Sequence, residues 1–164
     1  GILMAINFPE GVQDAPFDAN VAYDFGPITA ISNSQSFNNI GLETADITIK
    51  DANSLFFYWC ELGTEIDGSG TGHGVARVLY STDSGSNFTP HHYYNITGAN
   101  DNSVGNGFRG YFDHDLSAGT SIRFKVQYAK NGTSGSNHTV ADTGPQGSFG
   151  GNPVTRFFAF EVNQ

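Results

Sequence analysis

The chain has 164 residues, of which only 14% are charged, and its formal net charge is −9. This length suits one domain with a buried core, and 14 Phe, 7 Tyr and 21 Gly with few charges are typical of an all-β domain. The seven basic residues are scattered, whereas nucleic-acid binding needs clustered positive charge, and negative charge repels anionic membranes. We therefore expect neither nucleic acid nor a membrane as a partner.

Residues 1–20 contain Pro9, Gly11 and Pro16 and show no sustained hydrophobic period. They are predicted to form an extended N-terminal arm, which would become ordered against a partner. The opening GILMAINF lacks the basic segment of a signal peptide and is too short to cross a bilayer. The candidate attachment residues of the arm are Ile6, Phe8, Pro9 and Phe17. Residues 21–164 are predicted to form the head domain.

Short β-like segments follow the arm, and no ten-residue window shows a helical stripe. The predicted strands are 21–32 (broken at Gly26-Pro27), 45–50, 54–62, 74–82, 87–96, 120–130 and 154–162. Segment 54–62, SLFFYWCEL, is apolar on both faces and is predicted to be a central strand covered on both sides. In 120–130 apolar and polar residues alternate, as in a half-buried strand. Eight or so strands predict a single jelly-roll β-sandwich.

Two glycine-rich segments, 63–74 and 131–153, are predicted to be loops. Loops of this length in a compact domain are usually functional or disordered. Alternation of apolar and polar residues in the predicted strand 45–50 places Ile47 and Ile49 on one face. The predicted closing strand, 154–162, places Phe158 and Phe160 on one face.

A motif of the Asp-box type, Ser81-x-Asp83-x-Gly85-x-x-Phe88, lies between two predicted strands. It resembles the repeated turn motif of sialidase propellers, which lies far from their catalytic centre. Here it occurs once in a chain too short for a propeller. Asp83 is expected to accept hydrogen bonds from the turn amides, and Gly85 to take a positive φ. We interpret the motif as a hairpin turn.

The candidate metal ligands are few. Asp113, His114 and Asp115 end a strand, where two carboxylates on one side could bind a hard cation, although a polar turn explains them more simply. His91 and His92 are adjacent, so on a regular strand they would face opposite ways and could not chelate together. We expect no metal and no cofactor.

The chain shows no established catalytic motif, such as a G-x-S-x-G elbow or H-E-x-x-H. Glu61, Glu65 and Asp67 could supply an acid pair for glycoside cleavage, but loop carboxylates are usually solvated. Cys60 is alone within an apolar run, which favours a small buried side chain over a reactive thiol. We expect a protein that is not an enzyme.

Exposed aromatic residues could stack on sugars or join subunits. The candidate glycan-binding residues are Tyr93, Tyr94 and His138.

Several segments resemble short virion proteins of marine and cyanobacterial tailed phages. These are MAINFPEG (4–11), LYSTDSGSNFTP (79–90), LSAGTSIRFKVQYAKNG (116–132) and TRFFAFEV (155–162). The strand, glycine-rich loop and closing aromatic strand also resemble the jelly-roll heads of the C1q/TNF type, which are trimers. The resemblance implies a homotrimeric head on the surface of a phage particle assembled in the host cytoplasm.

These observations lead to one expected function and one alternative. The first is a trimeric capsid decoration (cement) or short fibre protein, whose arm binds the major capsid or tail protein. The alternative is the head of a tail fibre that binds a host receptor or a host-surface glycan.

Overall fold

The computed structural model describes residues 19–23, 29–32, 35–67, 73–97, 103–131, 137–141 and 155–162. Within these ranges the chain forms strands and turns. The strands are β1 (Ala19–Tyr23), β2 (Thr29–Ser32), β3 (Asn38–Glu43), β4 (Ile47–Thr48), β5 (Leu55–Asp67), β6 (His73–Ser81), β7 (Thr89–Thr97), β8 (Ser103–Asp113), β9 (Ser121–Asn131), β10 (Asn137–Ala141) and β11 (Arg156–Val162). The predicted arm residues Ile6, Phe8, Pro9 and Phe17 lie outside the described part, and the predicted boundary after residue 20 falls within β1.

Two antiparallel sheets form a β-sandwich. In sheet A, β5 pairs with β8 on one side and with both β11 and β10 on the other, and β1 and β2 pair with β11 and β10 respectively. In sheet B, β9 pairs with β3 and β4 on one side and with β6 on the other, and β7 pairs with β6. Apart from the β6–β7 hairpin, the connections from β4 onward cross between the sheets until β10 and β11 complete sheet A. The fold is the predicted all-β jelly roll.

The core lies between the sheets because apolar residues alternate along their inner faces. On β9 the even-numbered residues Ile122, Phe124, Val126 and Tyr128 are fully buried, as predicted from the period of two. Ile47 and Ile49 are also buried together. From sheet A the opposing side chains are those of Phe56, Tyr58, Cys60, Leu62, Phe157 and Ala159. One contiguous cluster of buried residues therefore joins the two sheets.

The motif at Ser81–Phe88 is the β6–β7 turn, as predicted. The Ser81 hydroxyl donates to Asp83 Oδ1 at 2.6 Å, and the Asn87 backbone N–H donates to the same oxygen at 2.9 Å. The Gly85 N–H donates to Ser81 Oγ at 3.0 Å, and Gly85 has a φ of 85°. These bonds satisfy the turn, and Phe88 packs beneath Lys125 of β9.

Both predicted glycine-rich loops are shorter than the sequence indicated. β5 continues to Asp67, because residues 63–67 pair with β10 on one side and residues 63–65 with β8 on the other. β10 itself occupies residues 137–141, inside the predicted loop 131–153. Its sequence, NHTVA, has little preference for a strand. Residues 137–141 form a strand because they pair with β2 and β5, which the local composition does not reveal.

Candidate functional site

The outer face of sheet A carries five aromatic side chains, which we call the aromatic face: Phe57, Trp59, Tyr111, Phe158 and Phe160. Strand alternation directs them away from the core, since their neighbours on β5 and β11 are buried, as is Phe112 next to Tyr111 on β8. Trp59 remains 46% exposed and Tyr111 65% exposed. The ring centres of Trp59 and Phe158 lie 6.2 Å apart, and those of Phe57 and Phe160 lie 5.2 Å apart. The aromatic rings therefore form contacting pairs across β5 and β11.

The exposure of Trp59 corrects one prediction from the sequence. Segment 54–62 is a central strand of sheet A, but it is not covered on both sides. Only its even-numbered side chains, from Ser54 to Leu62, are buried. A run that is apolar at every position is typical of a sheet covered by other elements on both faces. In a sandwich of two sheets, each sheet is covered on its inner face only.

A groove of about 610 Å³ crosses the aromatic face beside β8. It is lined by Phe57, Trp59, Gly107, Phe108 and Arg109. Its lining combines three aromatic rings with one guanidinium. Among the described residues, Arg109 forms no ion pair with a carboxylate. The groove therefore offers an apolar floor and one cation toward solvent.

Glu61, one of the predicted acid-pair residues, borders the aromatic face. Its Oε2 accepts a hydrogen bond from Arg156 Nε at 2.5 Å, and the Arg156 guanidinium also lies 5.6 Å from the ring centre of Phe158. Glu65 and Asp67 follow on the same strand at odd-numbered positions, but their side chains lie outside the described set. The carboxylate of Glu61 thus has a structural partner.

A second concave region, the edge cleft, opens where β7 of sheet B and β8 of sheet A run side by side. It has a volume of about 320 Å³ and is lined by Tyr58, His91, His92, Tyr94, Arg109, Gly110 and Tyr111. None of these seven residues is acidic, although the chain as a whole carries a net charge of −9. The cleft therefore differs in charge from the rest of the molecule.

The floor of the edge cleft is a pair of tyrosine hydroxyls. Tyr58 Oη and Tyr94 Oη lie 2.5 Å apart, and the Tyr94 ring stacks on Phe108 at 4.2 Å. Burial raises the pKa of both Tyr58 and Tyr94, so both hydroxyls stay protonated at neutral pH. A Cβ at Gly110 would lie 2.4 Å from Tyr94 Oη, so only glycine permits this approach.

His91 and His92 correct the expectation that they face opposite ways. The pairing of β6 with β7 shifts register between Val78 and Leu79, because Val78 lies opposite His92 and Leu79 opposite Pro90. His91 is the additional residue of this β-bulge, and a bulge re-aims side chains. Both imidazoles consequently line the edge cleft, with ring centres 6.0 Å apart. His91 Nε2 lies 3.0 Å from the Tyr111 carbonyl oxygen and therefore carries the donated proton.

Asp113 ends β8, and Asp113, His114 and Asp115 line a depression of about 400 Å³. The Leu116 N–H donates to His114 Nδ1 at 3.3 Å, so His114 Nε2 carries the proton that it donates to Ser54 Oγ at 3.2 Å. Ser54 in turn donates to the buried carboxylate of Glu161 at 2.5 Å. His114 thus links a turn to β11, and the part of the chain that the structure describes contains no group of three or more candidate metal ligands.

Cys60 lies in the core, fully buried on β5. Burial raises the pKa of its thiol well above the usual range, and the neighbouring Glu61 carboxylate adds to the effect. A thiol with a raised pKa is a poor nucleophile at neutral pH. Cys60 therefore acts as a small core residue, in agreement with the sequence.

Of the three predicted glycan-binding residues, Tyr93 and Tyr94 point to opposite sides of β7. Tyr93 is 52% exposed on the outside of sheet B, where its ring meets Phe37 edge-on at 5.8 Å. Tyr94 points the other way, into the edge cleft. The backbone of His138 lies in sheet A, between Ile31 of β2 and Ile66 of β5, and its side chain lies outside the described set.

Sequence reasoning missed Trp59, Arg109 and Tyr111. Trp59 was hidden in an apolar run that looked buried throughout, and β8 was not predicted because Gly105, Gly107 and Gly110 weaken the strand signal. The available signal was the alternation Phe108, Arg109, Gly110, Tyr111, Phe112, which has the period of a strand.

The fold and these surfaces define a jelly-roll β-sandwich with an aromatic outer face and a carboxylate-free cleft at one edge. In the described residues no helix is long and apolar enough to cross a membrane. No family model matches the sequence, and no curated protein matches it either.

Solved structures with similar folds include three of different kinds. A structure of Eiger TNF from S. frugiperda has a TM-score of 0.45 and 9% identity, over 91% of this chain and 94% of that chain. A structure of the Gt strain of infectious bursal disease virus has a TM-score of 0.42 and 14% identity over 92% of this chain, which spans only 38% of that chain. A CBM4 structure has a TM-score of 0.29 and 8% identity, over 88% and 90%. These likenesses concern the fold alone.

Proposed function

We propose that this chain is a non-enzymatic structural protein of a virion, a homotrimeric capsid decoration or short fibre protein whose arm, residues 1–20, attaches it to the major capsid or tail protein. The observation that carries the proposal is the aromatic face. Isolated exposed apolar residues are ordinary, but contiguous apolar patches mark interaction sites. Here the exposed Trp59 contacts Phe158, and the five rings of the face lie on the three adjacent strands β11, β5 and β8.

The composition of the aromatic face supports a second copy of the chain as the molecule that covers it. Aromatic residues and Arg are enriched at the cores of protein interfaces, and the face combines five rings with Arg109. The cation has no carboxylate partner among the described residues, whereas the chain carries 16 Asp and Glu. A neighbouring copy can therefore supply both apolar surface and a carboxylate. A ring of three copies joined head to tail closes on itself, so the aromatic face of every copy is covered by a neighbouring copy.

The connection of the arm to the head also supports attachment through residues 1–20. β1 begins at Ala19, which pairs with Phe160 at the end of β11. The strand that follows the predicted arm in the sequence therefore pairs only with β11 among the described residues. Its apolar residues, predicted from the sequence alone, would bind the particle without any change to the sandwich core.

Deletion of residues 1–17 tests the proposal on purified particles. The full chain and the truncated chain would each be mixed with particles that lack the protein, and bound protein would be measured after sedimentation. We expect the truncated chain to keep its circular dichroism spectrum and its mass per assembly, but to lose binding by at least tenfold. Equal binding of a folded truncated chain would contradict attachment through the arm.

A second variant tests the arm without shortening the chain. The double variant Phe8→Ser, Phe17→Ser leaves the length of the arm unchanged and removes two of its apolar side chains. We expect it to lose particle binding as the deletion does, since burial of each aromatic side chain contributes about 1.5–3 kcal/mol. Binding unchanged in this variant would also contradict the proposal.

A further inference from the structure

We infer that the edge cleft is a binding site for anionic saccharides, whose pyranose rings carry a sulfate or a carboxylate. This inference goes beyond the proposed structural role. The cleft lies between β7 and β8 at the margin of the aromatic face, with which it shares Tyr111, and Arg109 borders both. Ligand sites are typically clefts of about 300–1,000 Å³, lined by aromatic surface with a few converging polar groups. The edge cleft, at about 320 Å³, fits the lower end of this range.

The charge of the cleft favours an anion. Arg109 and the imidazoles of His91 and His92 converge on it, and no acidic residue lines it. In a chain with a net charge of −9, a concave surface free of carboxylates is the region where an anion meets the least repulsion. A planar guanidinium also binds sulfate or carboxylate oxygens through two parallel hydrogen bonds.

The remaining lining favours a sugar over a bare inorganic anion. Tyr94 and Tyr111 present flat apolar rings with polar tips, which suit a ligand that has both an apolar face and hydroxyls. The Tyr58 and Tyr94 hydroxyls share one hydrogen bond, so the hydroxyl that donates it keeps acceptor capacity, and the hydroxyl that accepts it keeps its own O–H to donate to a sugar oxygen. A free sulfate ion would leave these rings and hydroxyls without a role.

Two local features build this arrangement. The β-bulge at His91 turns two consecutive imidazoles into the same cleft, and Gly110 allows the two tyrosine hydroxyls to meet. His91 is held by its hydrogen bond to the Tyr111 carbonyl oxygen. Most of the site is therefore positioned before a ligand binds, which lowers the entropy cost of binding.

The test is isothermal titration calorimetry of the full chain with three probes. Sulfated galactan oligosaccharides and oligogalacturonate supply the two anionic groups, and neutral agarose oligosaccharides supply a matched uncharged galactan. We expect at least one anionic probe to bind at least tenfold more tightly than the neutral probe. Equal binding of the neutral probe, or no binding of either anionic probe, would overturn the inference.

Variants locate the binding in the cleft. Arg109 and His92 are both exposed, and we expect Arg109→Gln and His92→Gln each to weaken binding of the anionic saccharides at least fivefold. The control is Arg77→Gln, because Arg77 lies on sheet B over the Phe37 ring and outside the cleft. Equal losses in the control would show non-specific charge attraction and overturn the inference. Unchanged saccharide binding by Arg109→Gln would also overturn it, whatever the effect of that variant on the assembly mass.

Discussion

The outer faces of the two sheets obey the same alternation but carry different chemistry. On sheet B, Lys125 Nζ lies 3.0 Å from Glu43 Oε2, and Arg123 contacts both Glu43 Oε1 at 3.2 Å and Asp46 Oδ1 at 2.9 Å. The hydrogen bond from Arg123 lowers the pKa of Asp46. On sheet A the corresponding positions are aromatic, and Trp59 is nearly half exposed.

The difference shows which surface is adapted to water. Charged pairs on sheet B satisfy one another and remain hydrated, so this face needs no partner. The exposed rings on sheet A contribute to stability only when another surface removes them from water. The same β-sandwich therefore has one face suited to solvent and one suited to a second molecule.

The largest expected effect separates the two faces of β5 itself. Phe56 is fully buried and contacts Phe124, whereas its neighbour Phe57 points outward. We expect Phe56→Ala to lower the free energy of unfolding by about 3–5 kcal/mol through loss of burial and the cavity left behind. Phe57→Ala should cost about 1–2 kcal/mol. Urea denaturation at equal protein concentration measures both, and equal costs would contradict the assignment of faces.

The next effect compares single exposed aromatic residues on the two sheets. Trp59→Ser should raise the dissociation constant of the assembly by about 30-fold, equivalent to about 2 kcal/mol at an interface hot spot. Tyr93→Ser, at a similarly exposed position on sheet B, should change it less than twofold. Sedimentation velocity over a dilution series measures both. An equal effect of the two variants would remove the distinction between the faces.

A smaller effect is expected on the charged face. Glu43→Gln removes the carboxylate that contacts both Arg123 and Lys125, and partly exposed pairs contribute at most about 1 kcal/mol. We expect a small decrease in thermal stability that disappears in 1 M NaCl, because salt screens the pairs, with no change in assembly mass. A decrease in that mass would assign sheet B to the subunit interface.

The smallest effect concerns the turn that joins two strands of sheet B. Hydrogen bonds from Ser81 and Asn87 lower the pKa of Asp83 from 3.8 to about 2. Because the folded-state pKa is lowered, the stabilisation is present above about pH 4 and is lost as the pH falls toward 2. A carboxyl carbon titration by NMR should give a midpoint of about 2, and Asn87→Ala should raise it. A wild-type midpoint near 3.8 would contradict the hydrogen bonds of the turn.

The fold was largely predictable because local patterns decide it. The alternation of β9 and the turn at Ser81–Phe88 contain their own structural signals, and both were predicted. β10 was missed because its strand state depends on hydrogen bonds from β2 and β5, which are distant in sequence. β8 was missed because its glycines have no side chain to mark a strand.

The candidate surfaces were less predictable than the fold. Period-two alternation divides β5 into two faces, but it does not state which face of an all-apolar strand meets solvent. The placement of His91 and His92 depends on a one-residue register shift against β6, which no local pattern indicates. Arg109 and Tyr94 come together only because β7 and β8 are neighbouring edges of different sheets.

The measurement that tests the central claim most directly is the mass of the purified protein in solution, by light scattering coupled to size exclusion. The account predicts about three times the chain mass of 17.5 kDa, retained after removal of residues 1–17 and lowered in Trp59→Ser. A mass of a single chain at every concentration would contradict self-association through the aromatic face.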